Sequence, residues 1–278
     1  MDVLRAAVFL GILTFALASA SSYLSVIGPV SSTIYNNGNV YLGKVAPGES
    51  FYILANSSTV NNTGYYLNIG WDRLTAVRLP TGWSAQNSPL YENPMKMKVT
   101  VSANASYGNY TMIVRAVNVQ NYSYIGNLTF AASVNVTPDV FNVQVSPRAI
   151  RSGIGQPAVL DIVINNTGIS DDPFIINAQG LPAWNVSEHA ISLHSRVTSF
   201  GYPVFLEEPG AYSFNLTVSS STSAQVSKSY KIRFYVNESL GNDYSAVGQG
   251  AVLSPILFEP AYALMSLLSY IYNAITSA

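Results

Sequence analysis

Short runs of alternating apolar and polar residues fill most of the chain between its two ends. Runs of about four to eight residues, separated by clusters of Gly, Pro, Asn and Ser, are typical of strands that bury one face. The clearest examples are SFYILAN, GYYLNIG, KMKVTVSA, YTMIVRAV, AVLDIVIN, YSFNLTV and SYKIRFYV. A sustained helical period of about 3.6 residues is missing from this region. The pattern therefore predicts an all-β chain made of sandwiches.

Three landmarks occur twice in the same order, which indicates an internal duplication. They are NNTG at 61–64 and 165–168, LPTGW at 79–83 with LPAW at 181–184, and YGNY at 107–110 with PGAY at 209–212. The copies are offset by 104, 102 and 102 residues. We therefore predict two tandem sandwich modules, at 21–137 and 138–240.

Each landmark predicts a local structure. NNTG lies between strand-like runs and is expected to supply the positive-φ residues of a turn. The Gly-x-Tyr element is expected to start a late strand, with its tyrosine hydroxyl bonded to the backbone as in a tyrosine corner. For Trp83 and Trp184, which follow Leu-Pro, two interpretations stand: a buried anchor over the end of the sandwich, which we prefer, and an exposed ring that stacks on a ligand.

The N-terminus has the three parts of a secretory signal peptide. Arg5 precedes the apolar run AAVFLGILTFALA, and the small residues at 18–20 form a cleavage site. Residues 1–20 are therefore predicted to be a signal peptide, with an uncleaved signal anchor as the alternative.

A second apolar segment closes the chain. After a linker at 241–259, a hydrophobic helix is predicted over 260–278, because proline suits the first turn of a helix. Its polar residues fall on one face, which favours self-association; they are Ser266, Ser269, Asn273 and Thr276. Three roles stay open for this helix: a membrane anchor, a helix packed on a protein partner, and a helix in the lipid interface.

Composition narrows the classes of function. Charged residues make up 10% of the chain and the net charge is −1, so no basic surface for nucleic acid is expected. There is no cysteine, which excludes disulfides and thiolate metal sites. Because so few residues are charged, Ser, Thr, Asn and Tyr side chains must supply most of the polar, hydrated surface.

The strongest chemical signal is N-glycosylation. Acceptor sequons N-x-S/T stand at Asn56, Asn61, Asn104, Asn109, Asn121, Asn127, Asn165, Asn185, Asn215 and Asn237. Another stands at Asn135, a poorer acceptor because Pro138 follows its Thr137. These sequons predict a glycan coat; the alternative is that turns rich in Asn and Thr produce them by chance.

Catalytic and metal-binding patterns are scarce. His189 and His194 have no third ligand in any motif and are expected to be solvated. The acidic pairs at 171–172 and 207–208 either bind calcium or are solvated turn residues, and we favour the second interpretation. No nucleophile elbow, phosphate loop or HExxH helix is present. We expect no enzyme activity, no cofactor and no metal.

The order PGES, a β run, NNTG, LPTGW and KMKVTVSANASYGNYTMIVRA resembles an immunoglobulin-like module. That module is found beside alpha-galactosidases and in exported, S-layer-associated surface proteins of archaea and bacteria. The resemblance covers most of 40–137 and, more weakly, 150–236. It implies two tandem immunoglobulin-like β-sandwiches that act as a non-catalytic extracellular spacer or adhesion module.

Together these features predict an exported glycoprotein on the outer face of the cell membrane, in an archaeal cell envelope. Its expected partners are the membrane, through the C-terminal helix, and other envelope proteins or a second copy of the chain. The alternative function is a carbohydrate-binding accessory module with Trp71, Trp83 and Trp184 as stacking platforms.

Overall fold

A computed structural model describes residues 23–60, 66–119, 125–154, 157–180, 187–192, 196–204, 206 and 208–237. All regular elements in these ranges are β-strands. The strands are β1 Leu24–Gly28, β2 Ser32–Ile34, β3 Asn39–Val45, β4 Ser50–Ala55, β5 Ser58–Val60, β6 Tyr66–Gly70, β7 Arg73–Arg78, β8 Ser84–Gln86, β9 Met95–Thr100, β10 Gly108–Val117, β11 Leu128–Val136, β12 Phe141–Ser146, β13 Ala149–Gly153, β14 Ala158–Asn166, β15 Asp172–Gln179, β16 Ser187–Ser192, β17 Val197–Val204, β18 Gly210–Ser220 and β19 Ser227–Asn237. The prediction of an all-β fold is confirmed for the residues that the structure describes.

Two compact units divide the chain. Among the described residues, the first unit contains 23–138 and 168–170, and the second contains 139–167 and 171–237. The predicted signal peptide, the linker and the C-terminal helix with its four polar residues lie outside the described residues. Across the ranges that the structure does describe, no helix is long and apolar enough to cross a membrane.

The first unit has two main sheets. One has the strand order β2-β1-β4-β9-β8, and the other has the order β3-β11-β10-β7. Neighbouring strands run antiparallel except for β3, which pairs with β11 in parallel. A separate hairpin is formed by β5 and β6.

The second unit repeats the central strands of this arrangement. Its strand orders are β12-β14-β17 and β13-β19-β18-β15-β16, and β13 pairs with β19 in parallel. The three strands β12, β14 and β17 correspond to β1, β4 and β9. The set β13, β19, β18 and β15 corresponds to β3, β11, β10 and β7. The duplicated sequence landmarks therefore mark a duplicated topology.

The core of the first unit lies between its two sheets. Strand β11 alternates strictly between buried and half-buried residues, as expected for a strand with one face in the core. Phe51 and Ile53 of one sheet join Met112, Val114 and Phe130 of the other in a single apolar cluster. Fully burying a side chain of this size contributes about 1.5–3 kcal/mol, so the alternating pattern specifies which faces meet.

The second unit is packed in the same way. Strand β12 alternates between buried and exposed residues. The ring of Phe141 on β12 lies 4.8 Å from the ring of Phe174 on β15, which belongs to the other sheet. Phe214, Phe234 and Tyr202 are also buried. Aromatic side chains from both sheets thus fill the interior of this unit.

One predicted turn is not formed as expected. In the second NNTG segment, Asn165 and Asn166 continue β14 and pair with Asn142 and Phe141 of β12. Neither asparagine, nor Gly168, adopts a positive φ. The turn prediction is wrong for this copy because ladder pairing with β12 keeps both asparagines extended. The first copy, at 61–64, lies outside the described residues.

Candidate functional site

The repeated Gly-x-Tyr elements form two equivalent tyrosine corners. Gly108 and Gly210 begin β10 and β18 with φ values of 146° and 155°, a conformation that favours glycine. The Tyr110 hydroxyl donates to the carbonyl of Ser106 at 2.9 Å. In the second unit, the Tyr212 hydroxyl donates to the carbonyl of Glu208 at 3.1 Å. The expectation of a tyrosine corner is confirmed in both units.

Trp83 packs against the first of these corners. Its ring centroid lies 5.4 Å from that of Tyr110, and its side chain is only 8% exposed. The preceding Gly82 has a φ of 79°, and a Cβ atom there would lie 3.1 Å from the Ser102 hydroxyl. The LPTGW turn therefore lays its indole ring over the end of the sandwich. Trp184, its counterpart, lies outside the described residues.

Trp71 is also buried, and it holds a loop. It is 1% exposed, and its indole Nε1–H donates to the carbonyl of Gly126 at 3.2 Å. A ring that is enclosed by its own protein cannot stack on an external sugar. The suggestion that Trp71 and Trp83 act as exposed stacking platforms is therefore wrong, because both rings belong to the interior of the first unit.

Buried carboxylates support loops rather than forming a reactive cluster. Glu49 is 1% exposed, and its Oε2 accepts a hydrogen bond from the Ala46 N–H at 2.9 Å. Gly48, with a φ of 85°, completes this turn between β3 and β4. A carboxylate that accepts backbone N–H groups stabilises a turn in the same way as a helix cap. The PGES segment thus has a structural role.

Asp72 plays the same part at the other end of the first unit. It is 8% exposed and directly precedes β7. Its Oδ2 accepts a hydrogen bond from the Val119 N–H at 2.6 Å, and the Tyr91 N–H donates to its carbonyl at 2.9 Å. Asp72 therefore ties the loop after β10 to the loop between β8 and β9.

Asp172 is the corresponding residue of the second unit, at the start of β15. It is 1% exposed, and its Oδ1 accepts hydrogen bonds from the hydroxyls of Ser220 at 3.0 Å and Thr222 at 2.8 Å. Ser220 is the last residue of β18, and Thr222 lies in the turn that leads to β19. Asp171 and Glu208 are exposed, and Glu207 lies outside the described residues. The carboxylate of Asp172 thus serves the hairpin turn.

Lys228 on β19 contacts the edge of β12. Its ammonium donates to the carbonyl of Phe141 at 2.7 Å and to Oδ1 of Asn142 at 3.2 Å. Asp139 lies 3.8 Å away, in an ion pair whose carboxylate is largely exposed. Such a pair contributes little by itself, so the hydrogen bonds to the strand edge are the main contribution of Lys228.

Tyr230 contacts the same strand edge two residues further along β19. Its hydroxyl donates to the carbonyl of Val143 at 2.8 Å, and the Arg148 guanidinium lies 5.3 Å from the ring centroid. Burial raises the pKa of Tyr230 above its ordinary value of 10.0, while Arg148 partly opposes the rise. Lys228 and Tyr230 together cover an edge strand with side-chain donors.

The predicted glycan acceptors differ in exposure. Within the described residues, five are exposed, namely Asn104, Asn109, Asn127, Asn215 and Asn237, and three are half-buried, namely Asn56, Asn135 and Asn165. Asn61, Asn121 and Asn185 lie outside the described residues. An N-linked glycan is bulky and hydrated, so an exposed acceptor can carry one without disturbing the core.

Two acceptors have notable neighbours. Asn127 accepts a hydrogen bond from the Asn118 N–H through Oδ1 at 2.9 Å, which leaves its Nδ2 as the atom for a sugar. Asn135 on β11 is the direct cross-strand partner of Asn109 on β10. Directly opposed side chains have Cβ atoms about 4.5–5.5 Å apart, so glycans on both would compete for one space.

Of the two histidines, the structure describes only the backbone of His189. The backbone of His189 lies in β16, opposite Ile175, and His194 lies outside the described residues. Among the residues that the structure describes, no group of three or more His, Cys, Asp or Glu side chains is placed to hold a metal ion.

The residues that hold the loops and the strand edge were not predicted from the sequence. Asp72 directly precedes β7, and Asp172 is the first residue of β15. An aspartate at the start of a strand is only a weak signal for a carboxylate that binds the neighbouring loop. Lys228 and Tyr230 are two residues apart on one strand face. What that face meets becomes visible only in the fold, where side chains of β19 reach the carbonyls of β12 in the other sheet.

Comparisons with known proteins identify distant structural likenesses. No protein-family model matches the chain, and no curated protein matches it. Domains 4 and 5 of the S-layer protein SbsC are 13% identical, with 79% of this chain and 100% of that chain covered and a TM-score of 0.32. The D00-D0 domain of intimin is 12% identical, with coverage of 76% and 98% and a TM-score of 0.28.

The β-glucosidase of Listeria innocua is 13% identical, with a TM-score of 0.25. The match covers 35% of this chain, and the chain spans only 16% of the length of that enzyme. Likenesses at these TM-scores carry no conclusion about function. The case for a function therefore depends on the internal geometry of the two units.

Proposed function

We propose that the chain is a non-catalytic, exported and N-glycosylated protein of the cell envelope. Its two units are tandem immunoglobulin-like sandwiches that act as a spacer or adhesion module, held at the membrane by the C-terminal helix. The module is of the type found beside alpha-galactosidases and in S-layer-associated proteins. The outer face of the membrane is its location.

The repeated tyrosine corner is the observation that carries this proposal. In each unit, the strand that pairs with the last strand begins with a glycine of positive φ followed by a tyrosine two residues later. The hydroxyl of this tyrosine donates to the carbonyl four residues upstream. The last strand in turn pairs in parallel with an early one. These are features of immunoglobulin-like sandwiches, which are used widely as structural modules outside the cell.

The buried polar side chains support a structural role. Glu49, Asp72 and Asp172 each accept hydrogen bonds that fix a turn or loop. The two tryptophans of the described residues are packed inside the first unit. These buried hydrogen bonds and packed rings stabilise the two units, which contain no cysteine and hence no disulfide. Exposed sequons on both units then supply hydration that a chain with 10% charged residues otherwise lacks.

Location and anchoring can be tested together on native cells. A membrane-impermeant amine reagent applied to intact cells should label Lys96 and Lys231, which are exposed on the first and second unit. An alkaline carbonate wash should then leave the labelled chain in the membrane fraction. Labelling only after lysis would reject export to the cell surface. Release by carbonate would reject the membrane anchor and assign the helix to a protein partner.

A further inference from the structure

A tyrosine, a glycan acceptor and a threonine lie at alternate positions where β10 begins. Exposure alternates along 107–111: Tyr107, Asn109 and Thr111 are exposed, while Gly108 and Tyr110 are half-buried. Tyr107 is 58% exposed, among the highest values for a large side chain in the described residues. Asn109 and Thr111 are two residues apart on β10 and share its outward face. Tyr107 comes just before this strand, so the acceptor stands in the sequence between an exposed aromatic ring and an exposed hydroxyl.

We propose that Asn109 carries an N-linked glycan whose innermost sugar packs against the ring of Tyr107 and hydrogen-bonds to Thr111. The ring offers a flat apolar surface to the C–H face of a pyranose, and the threonine hydroxyl serves both as part of the sequon and as a polar contact. The glycan then stabilises the first unit instead of merely coating it. This inference rests on the glycosylation in the proposed function.

The second unit supplies an internal comparison. Its tyrosine corner keeps Gly210 and Tyr212, with the same hydroxyl-to-carbonyl bond. The positions that correspond to Tyr107 and Asn109, each 102 residues later, are Pro209 and Ala211. The corner itself therefore needs neither an aromatic ring nor an amide there. Tyr107 and Asn109 occur together in one copy and are both replaced in the other, which points to a joint role.

The position of Asn135 adds a second consequence. It is half-buried and lies directly across from Asn109 in the β10–β11 ladder. A sugar on Asn109 that leans on Tyr107 occupies the surface above this pair. The Asn135 sequon therefore stays unmodified, and Asn109 is the one acceptor of this pair that is used.

The first part of the test is glycopeptide mass spectrometry of the full chain from its native source. The expected result is a glycan on Asn109 and bare Asn135. A chain without glycans at any sequon would overturn the proposed glycoprotein function and this inference with it. Glycans elsewhere with a bare Asn109 would overturn this inference alone.

The second part measures what the sugar does. The full chain is expressed in an N-glycosylating host and, as a bare reference, in a host that does not glycosylate. The melting temperature of the first unit should be about 4 °C higher in the glycosylated protein. One modest stabilising contact produces a shift of this size in a domain of this length. Tyr107→Ser and Asn109→Gln should each abolish this difference, and Tyr107→Phe should keep it.

Tyr35→Ser serves as the matched control, because Tyr35 is 52% exposed on the same unit and has no acceptor two residues later. This variant should leave the difference between glycosylated and bare protein unchanged. If Tyr107→Ser also leaves that difference unchanged while Asn109 is occupied, the inference is wrong, and the glycan is only a coat.

Discussion

Tyr110 and Tyr212 occupy the same place in the two units, 102 residues apart, and each donates its hydroxyl to the carbonyl four residues upstream. The acceptor carbonyls, of Ser106 and Glu208, lie in the turn that leads into the strand. Each bond therefore fixes the entry angle of β10 or β18. The corner requires a tyrosine hydroxyl, a glycine and a turn at fixed spacing. It therefore identifies a particular strand of the fold more specifically than hydrophobic alternation does.

Removing either hydroxyl should destabilise its own unit. We expect Tyr110→Phe and Tyr212→Phe each to lower the free energy of unfolding by about 0.5–1.5 kcal/mol, the typical contribution of one hydrogen bond. Urea unfolding followed by intrinsic fluorescence measures the change. Equal stability of wild type and both variants would show that the two corners do not contribute.

Trp83 should contribute to stability rather than to ligand binding. Trp83→Ala removes a buried ring that packs on Tyr110, and we expect a loss of roughly 3–5 kcal/mol for the first unit. Denaturant unfolding gives the value, and a glycan array provides the complementary measurement. A stable Trp83→Ala variant that has lost binding to a glycan would support the stacking role that the burial of this ring argues against.

Asp172 should act on the hairpin between β18 and β19. Asp172→Ala leaves the hydroxyls of Ser220 and Thr222 without their shared acceptor, and we expect a loss of about 1–3 kcal/mol. The neighbouring exposed residue provides the matched variant Asp171→Ala, which should cost less. Adding calcium or a chelator should not change the melting temperature, since Oδ1 of Asp172 already accepts two hydroxyl donors. A clear calcium-dependent rise would restore the metal-binding interpretation.

The hydrogen bond of Tyr230 should disappear at alkaline pH. The pKa of Tyr230 is raised in the folded chain, so the unfolded chain loses this proton first as the pH increases. The stabilisation is therefore fully present below about pH 10 and is lost as the pH rises through the folded pKa. Tyr230→Phe should be less stable than wild type by about 0.5–1.5 kcal/mol at neutral pH.

The stability gap between wild type and Tyr230→Phe should narrow above about pH 10. Unfolding free energies at several pH values give this gap directly. A gap that stays constant into the alkaline range would mean that the hydroxyl is not the source of the stabilisation.

The sequence predicted the strands and the duplication, because both depend on local patterns. The run YTMIVRAV forms the last eight residues of β10, and Gly-x-Tyr marks the start of a strand in each unit. The second NNTG segment failed as a turn because Asn165 and Asn166 are held in a ladder by β12, which is distant in sequence. Pairing with a strand distant in sequence is a tertiary effect, which a short stretch of neighbouring residues cannot predict.

For the candidate sites, too, the sequence predicted the local motifs but not the effects of tertiary structure. Sequons could be read directly, whereas their exposure depends on the sheet face on which each asparagine falls. Asn109 and Asn135 both stand in sequons, and only the register of β10 and β11 places them opposite each other. Trp71 is apolar and aromatic in any context, but its bond to Gly126 depends on a loop that starts more than forty residues away. Roles of this type follow from folding, not from motifs.

Glycopeptide mapping of the chain purified from its own cells decides whether the protein is an N-glycosylated surface protein. We expect glycans on exposed acceptors such as Asn104, Asn109, Asn127 and Asn215, and unmodified asparagine at the half-buried Asn135 and Asn165. An intact mass equal to that of the bare polypeptide, or glycans confined to the half-buried positions, would contradict this expectation.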